Sequence, residues 1–572
     1  MKLPKKLSLA LLLSATVNAA MQALQVYRYS YDAYTHMFFA DHYRRDWFSL
    51  WDARWYGGFF VTTYPPLSHQ LMGLLSYLLN IEASYQVLAV ATAVFLTYSA
   101  YLYSRVLIGE ERAQYAALLA SFLPATGMIL NSFGQLPTAL STALSLIAAY
   151  SFNSYLFKPS KVNLLRATLW TALSGFTHHF TLAFFTPIVI LTVIVKNARL
   201  GRTLLRRTLL YCVLSILLLL VILRPFVEFA VSHPSWEEIP HATRDNLFTR
   251  PEVAFPFFWG MYSFTIFLLP NAFVIAFRDK EMLFPLITFL LLFILGLGGT
   301  TPIPAALLGG LWKTLTYDRF AFWATLTYLL FLAIMASDAG VFLEKFYFGD
   351  ASAKQNERVR NLFLVAMVCG LAASFILSSS GNIILRLQPP ALSDEQLRTL
   401  AQFLDENREW KYITLGLGNQ RILLSTMTVA PMFDGGYNLA KALPIFTESS
   451  VESVDAAKHY PSGIDFLEKV ITSQANNGLK YVVVADEYYK PTLRDLGLRP
   501  ALRIEGSGTV EVWEVPYAVK GSQPPPSIDP FTEAAWSIGP VACLLAALAL
   551  EASGKKISLR RCVKAEARKL DV

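Results

Sequence analysis

An aspartate and a histidine four residues apart, Asp32 and His36, head the stretch of this chain richest in groups that can do chemistry. On a helix that spacing puts both side chains on one face. A carboxylate so placed can take a proton from a nucleophile or hold a divalent metal, and the imidazole can position it. Behind them come Asp41-His42, Trp47, Trp51-Asp52, Trp55-Tyr56-Gly57-Gly58 and Tyr64-Pro65-Pro66-Leu67. Trp and Tyr at this density suit a lipid–water boundary, and their faces also stack on sugar rings. A lone acid would read as part of an ordinary interfacial loop. The ordered set of acid, histidine, Trp-Gly-Gly and Tyr-Pro-Pro-Leu weighs toward function.

Further candidates stand at the edges of apolar runs. Thr177-His178-His179-Phe180 interrupts one such run. Ionisable residues at membrane depth are costly and mark function by default, and adjacent histidines cannot share a helix face, so at most one points inward. A solvated helix junction is the plain alternative. Tyr317-Asp318-Arg319-Phe320 opens another run. Arg319 could grip a phosphate through two parallel hydrogen bonds, or merely pair with Asp318. Arg224, next to Pro225, and Lys313 are further cations for the same task. In the loop 226–254, Glu237 and His241 have the spacing of a metal pair among His233, Glu238, Arg244 and Asp245, although a solvated polar loop is the better account of them. Asp434-Gly435-Gly436-Tyr437 reads as a turn that could reach over a site.

The elements that must position these groups are membrane helices. Of 572 residues 54% are hydrophobic, with mean hydropathy +0.41, and the excess sits in uncharged blocks such as 209–223. A bilayer core about 30 Å thick needs roughly 20 such residues per helix, and the period-2 pattern of a membrane barrel is missing. Twelve spans are expected: 7–26, 84–107, 113–130, 137–157, 164–178, 180–196, 208–225, 255–277, 282–298, 321–337, 361–379 and 531–551. The first reads as a retained helix rather than a cleaved signal.

Lys and Arg crowd the loops 196–207, 278–280 and 345–360 and the tail 555–569, which places those loops and both termini inside. The helix-like stretch 66–81 then stays outside as a juxtamembrane or re-entrant helix. The chain divides into a multi-span module 1–379 with a first outer loop 27–83, a small extracytoplasmic α/β domain 380–530, a last span 531–551 and a basic cytoplasmic tail 552–572. In the insert, Tyr412–Leu415 and Tyr481–Ala485 read as strands, 396–406 and 462–474 as helices, and 502–504 with 509–515 as a hairpin. Gly521–Pro526 reads as a stiff linker. The net charge of +8 flanks apolar blocks and so reports topology rather than nucleic acid. The four cysteines are scattered and suggest neither a disulfide framework nor a zinc site.

The first loop resembles that of the GT-C glycosyltransferases, polytopic enzymes that take sugars from polyprenyl-phosphate carriers. It is most similar to the prokaryotic membrane family named after 6-pyruvoyl-tetrahydropterin synthase, and more distantly to protein O-mannosyltransferases and oligosaccharyltransferase catalytic subunits. The resemblance extends over the span architecture and the insert. It implies that Asp32 is the catalytic or metal-binding carboxylate. A second acid often follows the third span in that superfamily. Here the place reads Asn131-Ser132-Phe133-Gly134-Gln135-Leu136-Pro137, which weakens metal dependence and leaves Asn131 or Gln135 as neutral hydrogen-bonding substitutes.

The implied reaction moves a sugar from a polyprenyl- or dolichyl-phosphate donor, at the outer face of the cell membrane, to an acceptor protein, lipid or glycan, with inversion. Asp32 would act on the nucleophile and His36 on Asp32. Arg319, His178, His179 and Arg224 would meet the phosphate, and Tyr64, Trp55 and Gln135 the substrate. A flippase of lipid-linked glycans predicts two matched halves with charges near the midplane, which the sequence lacks. A non-catalytic scaffold accounts for the missing second acid but not for the charged, aromatic first loop.

Overall fold

The computed structural model describes residues 3–232, 244, 250–298, 302–309, 312, 315–343, 353–384, 392–521 and 527–570. Lys313, Glu237, His241 and their neighbours in the loop, and most of the linker before the last helix, lie outside the described residues. The chain is mostly helical, and each expected span falls on helix. Among the described residues seven helices are long and apolar enough to cross a bilayer, or eight if Glu110–Ala120 and Pro124–Ser132, bent by 46°, count as one. Twelve is not reached on those two criteria. Leu136–Phe157 carries buried Thr138, Ser141, Thr142 and Ser145, which lower its hydropathy while bonding inside the bundle. Leu283–Gly296 has 14 residues, about 21 Å of helix. Helices Lys161–Thr177 and His179–Lys196 form a hairpin. On one straight helix Ser174 and Thr186 would stand about 18 Å apart, yet their hydroxyls are 3.2 Å apart. The single extended residue at the tip is His178.

The first loop folds tightly. Helix Ala33–Arg45 leads into a two-stranded pair, β1 (Trp51–Asp52) and β2 (Phe59–Phe60), and then helix Leu67–Leu75, whose nine residues are too few to cross a membrane. Asp41 and Asp52 are buried around Arg54, which donates to them at 2.5 and 2.7 Å. His42 shares a 2.8 Å hydrogen bond with Asp52. Arg54 also donates to the Ser425 carbonyl, and Arg45 to that of Thr426. These polar residues of the loop therefore act as a clamp. Removing one member of a buried ion network leaves the others unpaired, at about 3–5 kcal/mol. Arg54→Ala should lower thermal stability by that much, and an unchanged melting temperature would show that the guanidinium does not hold the seam.

The insert carries a four-stranded sheet of order β3 (Lys411–Leu415), β4 (Leu479–Val484), β6 (Val510–Glu514), β5 (Arg499–Ile504). The first pair is parallel and the others antiparallel. A parallel pair needs a long crossover, here residues 416–478 with helices Gln420–Met427 and Gly463–Gln474. Helix Asp394–Glu406 begins with a capping box of Ser393 and Gln396. Met432 N donates to the Arg54 carbonyl at 2.7 Å, and Trp55, Tyr56 and Phe59 pack in one core with Leu424, Met432 and Phe446. The far end of the chain joins the same assembly. The Trp536 indole donates to the Tyr43 hydroxyl at 3.1 Å, the Trp47 indole to the Ser537 carbonyl at 2.9 Å, and Gln70 to the Trp536 carbonyl.

Candidate active site

Asp32 precedes helix Ala33–Arg45, and its amide donates to the Phe133 carbonyl at 2.9 Å. Gly134 makes this approach possible. Its φ is +73°, and a Cβ there would lie 2.6 Å from the Ala33 amide and 2.7 Å from Ser30 Oγ. The loop 131–135 is thus pressed against the residue that carries the acid. The Asp32 side chain makes no cap to its own helix and keeps part of its surface open. Burial raises its pKa to about 7; Arg319 opposes that rise, while Asp318 and Glu452 add to it.

The sequence offered no second carboxylate in the third-span loop, but the fold brings one there from another helix. Gln135 Nε2 donates to Asp318 Oδ2 at 2.6 Å. Asp318 is buried, and its other oxygen and the Gln135 carbonyl have no partner among the described residues. Asp318 does not pair with Arg319. Arg319 instead donates to Thr138 and Thr316 and lies 5.4 Å over the Phe180 ring. Its charge acts on Asp32, His36, Tyr64 and Tyr437.

His36 is 2% exposed, and it does not reach Asp32 as expected. Its Nδ1 pairs with His69 Nε2 at 3.1 Å, and the two rings stack. Helix Leu67–Leu75 supplies that closer partner, and Asp32 is left to the open side. Burial pushes both imidazoles down, His36 well below its ordinary value and His69 to about 3, so the pair is neutral. Tyr64 packs among His36, His69, His178 and Tyr437, with ring centroids 5.0–6.1 Å away. His178 Nδ1 bonds Thr181 Oγ1 at 2.8 Å, and His179 lies against Phe226.

Two expected binding residues lie elsewhere. Trp55 is fully buried, stacked 3.6 Å from Phe38, with its indole donating to Ser425. Its large apolar ring serves the seam between loop and sheet and is not open to a sugar. Arg224 pairs with Glu228 on the exposed surface, because helix Arg202–Ser232 continues through Pro225 rather than ending there.

Two residues not singled out for the site join it, together with one from the turn expected to reach over it. His69 sits just beyond the Tyr-Pro-Pro-Leu signal, and Asp318 had been weighed only as a partner for Arg319. Tyr437 comes from the Asp434–Tyr437 turn, held by Thr35 Oγ1 donating to the Gly436 carbonyl and Tyr56 to that of Tyr437. Asp434 itself is consumed by Ser453 and the Val454 amide. Among the described residues no three His, Cys, Asp or Glu side chains converge closely enough to hold a metal ion.

No family model and no curated protein matches this sequence. Solved structures do. ArnT from Cupriavidus metallidurans, crystallised with undecaprenyl phosphate, superposes with TM-score 0.52 at 12% identity, over 89% of this chain and 99% of that one. The arabinofuranosyltransferase AftD from Mycobacteria gives 0.50 at 14%, over 89% of this chain and 40% of AftD. The Archaeoglobus fulgidus oligosaccharyltransferase in its apo form gives 0.50 at 11%, over 89% and 74%. At such identities the likeness is one of architecture: over 89% of its length the chain has the fold that ArnT, AftD and the oligosaccharyltransferase share with it.

Proposed function

We propose that the protein transfers a sugar from a polyprenyl-phosphate-linked donor to an acceptor, with Asp32 as the base and Arg319 as the phosphate ligand. The observation that carries this reading is an acid at the start of helix Ala33–Arg45, its pKa raised by burial to about 7, in the field of Arg319 at the start of helix Asp318–Leu343, 287 positions on. The undecaprenyl phosphate in the ArnT crystals supports a lipid-phosphate donor. The acceptor nucleophile attacks the anomeric carbon as its proton passes to Asp32. The bond from that carbon to the phosphate oxygen breaks, and its electron pair leaves with the phosphate, whose charge Arg319 meets. Asp318, oriented by Gln135, adds to the rise in the Asp32 pKa and so makes it a stronger base. Tyr437, half-buried, offers a ring to the sugar, and the buried Tyr64 backs it with ring centroids 5.1 Å apart. The reading further places the twelve-span topology with this site and the sheet on the outer side and both termini inside. Impermeant thiol labelling should modify a cysteine at Asn476 and not one at Ala198, and the reverse pattern would overturn that orientation.

The decisive assay is transfer from labelled polyprenyl-phosphate sugars in membranes containing the protein. No transfer from any lipid-linked donor would remove the proposal. A base must be ionised to act, and the Asp32 pKa is raised to about 7. kcat/KM should therefore climb about tenfold per pH unit below 7 and level off above it. A profile flat from pH 5 to 8 would show that Asp32 does not titrate in the reaction.

A further inference from the structure

At the opposite end of the bundle from Asp32 a cavity of about 240 Å³ opens between the ends of three helices. Its mouth carries Lys196, Arg199, Lys280 and Glu281, and its walls include Val195 and Phe284. Helix His179–Lys196 links the two ends. Its 18 residues span about 27 Å, close to the thickness of a bilayer core. The cavity therefore lies at the headgroup level of the other leaflet and forms no part of the site at Asp32.

Charge and shape both point to one ligand. Lys196 donates to the Leu107 carbonyl at 3.1 Å and pairs with Glu281, which Arg199 approaches at 3.8 Å. Glu281 thus sets the positions of two cations and neutralises one charge. Lys280 has no ion-pair partner among the described residues, and Asp279, on the same turn, accepts from the Glu281 amide. From this cavity two of its helices carry exposed apolar residues at successive turns along their lengths: Val195 and Leu191 on one, and Leu283, Ile287 and Leu291 on the other. Each stripe follows i, i+4 spacing and so keeps to one face. A cationic mouth over paired apolar tracks matches a phosphodiester with two acyl chains better than a free anion, which would leave the tracks uncovered. Basic pockets between membrane helices bind lipid phosphates in this manner.

We infer that this cavity binds an anionic phospholipid of the opposite leaflet, its phosphate between Arg199 and Lys280 and its chains along the two stripes. The site stands independently of the transfer reaction. The test is native mass spectrometry of the full chain released from bilayers of phosphatidylcholine and phosphatidylglycerol. The wild type should retain phosphatidylglycerol selectively. Arg199→Gln with Lys280→Gln removes two exposed cations, each contributing about fivefold near an anionic headgroup, and should cut retention about 25-fold. The charge-matched control Arg408→Gln with Lys469→Gln, both exposed on the sheet unit, should retain the lipid as the wild type does. Equal retention in both double variants, or a loss as large in the control, would overturn the assignment. Displacement of the lipid by millimolar inorganic phosphate would do so as well, since it would mark a free-anion site.

Discussion

Asp32→Asn should reduce sugar transfer by roughly 10²–10⁴-fold, the range expected when a general base is lost, and should leave the protein at least as stable as before. The two side chains have the same shape. Asn still fits before helix Ala33–Arg45, where Asp32 makes no side-chain cap, and the backbone bond to Phe133 does not involve the side chain. The stability effect has a definite sign. Burial raises the Asp32 pKa to about 7, above the unfolded value of about 4. The carboxyl therefore costs the folded state nothing below about pH 4, a growing amount between 4 and 7, and its full penalty above 7. The Asn variant should accordingly match wild type in melting temperature near pH 4 and exceed it above pH 7. Wild-type transfer by this variant would mean that another group takes the proton.

Arg319→Ala is expected to lower transfer by about 10²–10³-fold, the effect of losing one donor aimed at developing negative charge. Its bonds to Thr138 and Thr316 and its place over Phe180 are modest, so folding should persist. Arg319→Lys should stay impaired, because an ammonium cannot reproduce the planar fork. A second readout separates this role from a structural one. Arg319 is the group that holds the Asp32 pKa down against burial, Asp318 and Glu452, so the residual activity of the Ala variant should show its alkaline rise displaced to higher pH. Full activity, or a fall with the pH limb unmoved, would remove Arg319 from the site.

The residues legible in the sequence were those beside a recognisable boundary. Asp32 follows the first apolar run, Arg319 opens another, and His178 breaks a third, so each announced itself by interrupting a pattern. Asp318 and His69 could not be found that way. Their importance arises from contacts across 183 and 33 residues, with Gln135 and His36 respectively, and one sequence carries no signal for such pairings. Trp55 misled for a related reason. A tryptophan in a loop between membrane helices looks exposed until the insert, which begins more than 300 residues later, covers it with Ser425 and Met432. Arg224 misled because Pro225 reads as a helix end, whereas the long helix absorbs it. The presence of a helix at each expected span was legible because apolar runs are local, although its ends were not, as Arg202–Ser232 against 208–225 shows; the strands of the insert were legible because their β-branched runs are local too.

The bond between Trp536 and Tyr43 joins residues 493 positions apart, and that distance is also an interval of time. Chains grow at about 5–20 residues per second, so the loop bearing Asp32 exists for roughly 25–100 s before the helix that fastens it has been made. Through that interval Tyr43, Trp47 and Gln70 lack the partners that close over them, and the aromatic face of Phe38, Trp55 and Phe59 lacks the sheet that later buries it. The loop that carries Asp32 is therefore among the first parts of the chain to be synthesised and among the last to be assembled. A ribosome that stalls before the final helix leaves in the membrane a nearly complete bundle whose first loop has not closed.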